Sequence, residues 1–143
     1  PRFVPECFAS LHNTSPAHFK RFREGLEQLL QEGVVQQYSQ PQNLQRIPLL
    51  GAVGPLQFEV VQYRLKSEYN AEARLEHAPY RFVRWLRHKN GSTWHWDEVN
   101  LPTGTTLAND ELDRPVLLLE DAWAERFFSS RNPDFEILAE PEE

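Results

Sequence analysis

The stretch Leu50-Gly51-Ala52-Val53-Gly54-Pro55-Leu56-Gln57-Phe58-Glu59-Val60-Val61, continued by Arg64-Leu65-Lys66-Ser67-Glu68-Tyr69-Asn70-Ala71-Glu72-Ala73, decides the fold. An apolar run from Ile47 to Val53 is short enough for a strand. Pro48 places its beginning, or an edge, at that end, because proline cannot donate to a ladder. Gly54-Pro55 then opens a helix, since proline at a first helical position loses no hydrogen bond. The helix carries Leu56, Phe58, Val60, Val61, Leu65 and Tyr69, and Asn70 can close it in a left-handed conformation. Ala71 to Leu75 is the strand that follows.

Working outward to the N-terminal side, the same pattern recurs. Cys7 to Leu11 predicts a first strand and Ser15-Pro16 a helix start, with the Ser15 side chain as cap. Phe19, Phe22, Leu26, Leu29 and Leu30 follow at helical spacing, with Lys20, Arg21, Arg23 and Glu27 opposite them. Gly33 stops the helix, and Val34 to Tyr38 is a second strand. A polar connection from Ser39 to Leu44 leads back to Ile47. The order is β-α-β-β-α-β over residues 7–76, an α+β class of the ferredoxin-like, split βαβ kind: two helices on one face of an antiparallel sheet. Residues 1–6, with two prolines, are expected to be a linker.

Residues 77–143 predict a β-β-α-β extension or small second lobe. Tyr80, Phe82, Val83 and Trp85 mark a strand ended by Lys89-Asn90-Gly91, and a long loop with Trp94 and Trp96 follows. A hairpin takes Thr106 to Ala108 and Val116 to Leu119 around a polar turn from Asn109 to Arg114. Ala122 to Ser130 reads as a helix capped by Asp121, and Phe135 to Leu138 as a last strand, before an acidic tail. Whether this part docks on the first sheet or stands apart is open at the level of sequence.

The chain has 143 residues, 40% hydrophobic and 12% aromatic, enough for a packed core. It contains no methionine, so Pro1 is expected to begin a piece of a longer protein. A single cysteine, Cys7, excludes an internal disulfide framework and a cysteine-based zinc cluster. No apolar run reaches the ~20 residues of a membrane-spanning helix, and a soluble cytoplasmic protein without membrane attachment is expected. A net charge of −6 opposes bulk binding to nucleic acid.

Catalytic patterns are missing from the sequence. Neither Gly51 to Gly54 nor Gly104-Thr105-Thr106 has the spacing or the lysine of a phosphate-binding loop. The five histidines, His12, His18, His77, His88 and His95, lack the short paired spacing of a metal site. A ferredoxin-like enzyme acting on acyl phosphates needs an anion-binding loop after the first strand. Here that loop is His12-Asn13-Thr14, without glycine or arginine. The basic residues Arg81, Arg84 and Arg87, with Arg64 and Lys66 on the second helix, are the candidate contact surface. In a strand Arg81 faces opposite to Arg84, so the first group is split between faces.

The segment from Leu50 to Ala73 resembles the C-terminal domain of peptide chain release factor three, as do Gln31-Glu32-Gly33-Val34-Val35-Gln36 and Val83-Arg84-Trp85. It is more distantly similar to the third domain of elongation factor G, whose helix start carries Glu, Leu, His, Leu where Pro55, Leu56, Gln57, Phe58 stand here. The likeness is strongest from Cys7 to Trp85 and weakens from His88 to Asn109. It implies a monomeric, ribosome-contacting domain of a GTPase that removes class I release factors. A GTPase domain and a β-barrel would precede it, with GTP and magnesium held there and no cofactor here. Arg64, Lys66, Arg81, Arg84 and Arg87 would then face the ribosome. The competing expectations are a domain of another translational GTPase and a free-standing ligand-binding regulatory module.

Overall fold

A computed structural model describes residues 3–40 and 47–141. Two antiparallel four-stranded sheets and three helices are present among them. The first sheet holds β1 (Cys7–Asn13), β2 (Gln36–Tyr38), β3 (Leu49–Ala52) and β4 (Ala73–Ala78) in the order β2-β3-β1-β4. Helices α1 (Phe19–Glu32) and α2 (Pro55–Tyr69) connect β1 to β2 and β3 to β4. All pairings are antiparallel, which is the expected ferredoxin-like arrangement. Most of the expected loop from Ser39 to Leu44, residues 1 and 2 of the expected linker, and the last two residues of the acidic tail lie outside the described residues.

The ends of the helices follow from local chemistry. Gly33 stops α1 at φ 80° and Asn70 stops α2 at φ 52°, both left-handed, where an ordinary side chain would be strained. At the start of α2 the Gln57 side chain accepts from the Gly54 N–H at 3.2 Å. The start of α1 departs from expectation. Pro16–His18 form a separate 3-10 turn, α1 begins at Phe19, and the Ser15 side chain makes no cap. Instead the Asn13 side chain accepts from the Ser15 N–H at 3.2 Å, an Asx turn that bends the chain before the helix. Pro48 sits just ahead of β3, where its carbonyl still accepts from the Leu11 N–H at 3.0 Å.

The second sheet holds β5 (Phe82–His88), β6 (Thr105–Asn109), β7 (Pro115–Leu119) and β8 (Phe135–Leu138) in the order β6-β7-β5-β8. Helix α3 (Ala122–Arg131) links β7 to β8. Asp121 caps it as expected, accepting from the Ala124 N–H at 2.8 Å. Period-two alternation explains how the layers stack. Along β1, Ala9 and Leu11 face α1 and α2, where they join Phe22, Leu29, Phe58, Val61 and Leu65. Phe8 faces the other way and packs with Tyr38 and Leu49 against Val83, Trp85, Val116 and Leu118 of the second sheet. The intervening Leu86, Leu107, Leu117 and Leu119 point to α3 and meet Ala124 and Phe128.

The molecule is therefore four layers deep: a pair of helices, two stacked sheets, and α3 outside the second sheet. Each fully buried Phe or Leu contributes roughly 1.5–3 kcal/mol relative to exposure. The sheets also exchange backbone hydrogen bonds where Ser39 and Asn109 pair, at 3.0 and 2.8 Å. Two glycines permit close approaches. A Cβ on Gly25 of α1 would lie 2.7 Å from Leu65 and 2.8 Å from Tyr69. One on Gly51 would lie 2.8 Å from Pro5 and 2.9 Å from Tyr38.

Candidate functional site

Helix α2 is apolar on two sides, and this sets its surface apart. Phe58, Val61 and Leu65 are buried against the sheet. Leu56, Val60 and Tyr63, one helical turn apart along the opposite side, remain 64%, 37% and 71% exposed, with Val53 at 50% just ahead of them. Exposed apolar residues gathered on one helix face mark a candidate contact surface. At 100° per residue, Arg64 and Lys66 fall on opposite shoulders of this outer stripe. The second helix therefore presents an apolar centre with Arg64 on one flank and Lys66 beside the exposed Glu59 on the other.

Both cations are held in place. Arg64 bridges the two helices, donating to Glu32 of α1 at 2.6 and 3.1 Å and to Glu68 at 2.7 and 3.0 Å. Hydrogen bonds from Arg64, then from Gln28, lower the Glu32 carboxyl below its ordinary range. The Glu68 carboxyl falls for the same reason, through Arg64. In return Glu68 and Glu32 push the guanidinium still higher, so it is charged at every accessible pH. Lys66 pairs with Glu72, whose carboxyl its hydrogen bond lowers. The Lys66–Glu72 pair is exposed and the Arg64 pairs are only partly covered, so they matter for orientation more than for stability.

The other three basic residues are not brought to one place. Arg84 lies on the α3 side of β5, 2.9 Å from Glu125 and over the Phe82 ring at 5.3 Å. Arg87 pairs with Glu136 of β8 at 2.7 Å. Arg81 precedes β5 and borders a cleft with Val4, Pro5 and Glu6. It has no ion-pair partner among the described residues. The structure thus gathers Arg64 and Lys66 on one helix, while Arg81, Arg84 and Arg87 lie on the second sheet with different neighbours.

The His12 to Thr14 segment is used internally. His12 lies 3.0 Å from Glu76, Asn13 accepts from Ser15, and the Thr14 hydroxyl donates to the Glu72 carbonyl at 3.2 Å. The Cys7 thiol donates to the Ala52 carbonyl at 3.4 Å, and burial, with the nearby Glu6 charge, keeps it protonated. Among the described residues no group of three or more His, Cys, Asp or Glu is placed to hold a metal ion. No helix among the described residues is long and apolar enough to cross a membrane.

Two buried polar residues escaped the reading of the sequence: Asn132, which ties the end of α3 to Asn100, and Asp110. Asp110, 9% exposed, opens the β6–β7 turn. It accepts from the Trp85 indole at 3.0 Å, from the Leu112 and Arg114 N–H groups at 3.0 and 2.9 Å, and from the Arg114 side chain at 2.8 Å. Burial presses its pKa upward. The hydrogen bonds from Trp85 and Arg114 outweigh that, and the carboxyl sits below its ordinary value. The available signal was an aspartate directly after an alternating strand and four residues before an arginine, the pattern of an Asx-organised turn.

A ferredoxin-like unit backed by a second antiparallel sheet defines a domain of the α+β class. Comparison with known proteins gives its family. A family model described as "Class II release factor RF3, C-terminal domain" matches residues 1–129. The chain is 39% identical over 139 residues to peptide chain release factor 3 of Trichormus variabilis, covering 97% of this chain and 25% of that relative. It is 40% identical over 139 residues to the factor of Acaryochloris marina, with the same coverage. Against that of Synechococcus elongatus it is 40% identical over 137 residues, covering 96% and 24%. The chain belongs to the family of class II release factor C-terminal domains. It spans about a quarter of the length of these curated relatives.

Proposed function

We propose that this domain is the ribosome-contacting C-terminal part of peptide chain release factor 3, a cytoplasmic GTPase that promotes removal of class I release factors in translation termination. GTP and magnesium would be held by a preceding GTPase domain. This chain has no Gly-x-x-x-x-Gly-Lys-Ser/Thr loop to hold them and contributes contacts, not catalysis. The observation that carries the reading, beside family membership, is the uncovered stripe of Val53, Leu56, Val60 and Tyr63 flanked by Arg64 and Lys66. An apolar centre gives affinity when water is expelled, and Arg64 and Lys66, each already paired with glutamates, form an ordered polar rim around it. Arg81, Arg84 and Arg87 would contribute from the second sheet. A rigid domain whose contact face fits the ribosome in one conformation of the whole factor shifts the factor toward that conformation.

The test uses the full-length factor. Substituting Leu56→Ser and Tyr63→Ser together should weaken co-sedimentation with ribosomes by tenfold or more, the equivalent of about 1.4 kcal/mol. The urea midpoint should be unchanged, because both side chains are largely exposed. Co-sedimentation at wild-type affinity would overturn the assignment of this face.

A further inference from the structure

The second sheet carries a groove that the contact face on α2 does not use. Residues Ser92 to Trp96 run beside the end of the β6–β7 hairpin and, with Leu107, Ala108, Asn109 and Pro115, line a groove of about 410 Å³. Trp94 is fixed at its base, edge-on to Phe135 with ring centres 5.0 Å apart. Trp96 is half exposed and lies 5.4 Å from the His95 ring.

The rim is acidic. Asp97 and Glu98 follow Trp96 in the chain, and Glu111 and Asp113 lie on the β6–β7 turn between Asn109 and Pro115, all four exposed. Asp97 meets the His95 ring at 2.8 Å, and Glu98 and Glu111 accept from the His95 and Gln37 N–H groups. Asp110 is matched by Arg114. Among the described residues no lysine or arginine lines the groove.

The adjoining strand is also incompletely paired. β6 is an edge of its sheet and pairs with β7 on one side. On its other side Asn109 exchanges hydrogen bonds with Ser39, and the Thr105 N–H donates to the Pro102 carbonyl at 3.2 Å. Groups alternate along an antiparallel strand, so Leu107 turns its N–H and C=O to that same open side. It has no backbone partner there among the described residues.

We propose that this groove docks an extended protein segment rich in lysine and arginine. The segment adds a short strand at Leu107, places a cationic side chain over the Trp96 indole, and is drawn in by the carboxylate rim. Each part has its chemistry: main-chain pairing at a sheet edge, cation–π attraction, and complementary charge. A nucleic acid strand does not fit, because its phosphates would meet carboxylates. The groove lies on the other sheet from α2, so this inference does not rest on the assignment of the α2 face.

The experiment titrates the protein into a fluorescently labelled peptide of about ten residues alternating lysine and valine. Anisotropy reports binding, and hydrogen exchange reports the Leu107 amide. The lysine peptide should bind and slow exchange at Leu107. Trp96→Ala should weaken binding by about fivefold or more, and the pair Asp97→Lys and Glu98→Lys by about tenfold or more. Leu56→Ser with Tyr63→Ser should leave peptide binding unchanged. The proposal is overturned if the lysine peptide does not bind, if a glutamate–valine peptide binds equally well, or if Trp96→Ala has no effect. It is also overturned if Leu107 exchanges at its free rate in the complex, or if an oligouridine strand displaces the peptide.

Discussion

Replacing Asp110 by asparagine keeps the volume of the side chain and removes its charge, which isolates the role of this buried acceptor. One carboxylate oxygen accepts from the Leu112 and Arg114 amides, and the other from the Trp85 indole and the Arg114 side chain. In Asp110→Asn the carbonyl oxygen can keep the amides, but the NH2 group then faces two donors. Trp85 is buried between the sheets, and leaving its N–H unpaired costs about 1–3 kcal/mol. Arg114 is partly exposed and recovers water, so losing that charge-assisted bond adds about 1 kcal/mol. The expected loss is about 2–4 kcal/mol, a large share of an ordinary domain's stability of about 5–15 kcal/mol. Urea unfolding followed by circular dichroism measures it, as a lower midpoint at unchanged slope. In the Trp85→Phe background the indole donor is gone, so Asp110→Asn should cost at least about 1 kcal/mol less there. The effect of pH has a definite sign. The folded-state pKa of Asp110 is depressed, so its contribution is complete above the unfolded value of about 3.9 and fades as pH falls through the folded one. The penalty of Asp110→Asn should therefore shrink in acid. A loss below about 0.5 kcal/mol at neutral pH, or strict additivity with Trp85→Phe, would refute the reasoning.

Further expectations follow from the stacking of layers. Phe8→Ala empties a site between the two sheets and should lower stability by about 3–5 kcal/mol in urea unfolding, whereas Phe19→Ala, on an exposed position of α1, should cost under about 1 kcal/mol. Gly51→Ala places a methyl group against Pro5 and Tyr38 and should cost about 1–3 kcal/mol. If thermal unfolding of Gly51→Ala matches the parent, the close approach at that strand is not constraining. Asp121→Ala removes the cap of α3 and should cost about 0.5–2 kcal/mol by the same denaturation assay.

The elements were legible in the sequence where turn chemistry and periodicity agreed. Gly33, Asn70 and Asp121 end or begin their helices as read, and the order of the first sheet follows from the split βαβ pattern. Phe19 shows one limit. It shares the helical spacing of the core residues, yet it stands at the first position of α1 and is exposed. Stacking of the sheets could not be read, because Phe8 on β1 and Val83 on β5 each look like one member of an alternating strand whatever covers that face. The partners of the basic residues were equally hidden. Glu32 and Arg64 meet only because α1 and α2 pack together, and Arg84 meets Glu125 only because α3 covers β5. The outer stripe on α2 was present in the sequence as Leu56, Val60 and Tyr63. Separating it from the core face requires knowing which side of the helix the sheet takes.

The most direct measurement of the central claim is a site-specific cross-link. A photoreactive side chain in place of Tyr63, in the full-length factor bound to ribosomes, should join the factor to a ribosomal component and lose that product when Leu56 is also changed to serine. Cross-links confined to the factor's own chain, or ribosomal cross-links indifferent to Leu56, would contradict the proposal that the outer face of α2 contacts the ribosome.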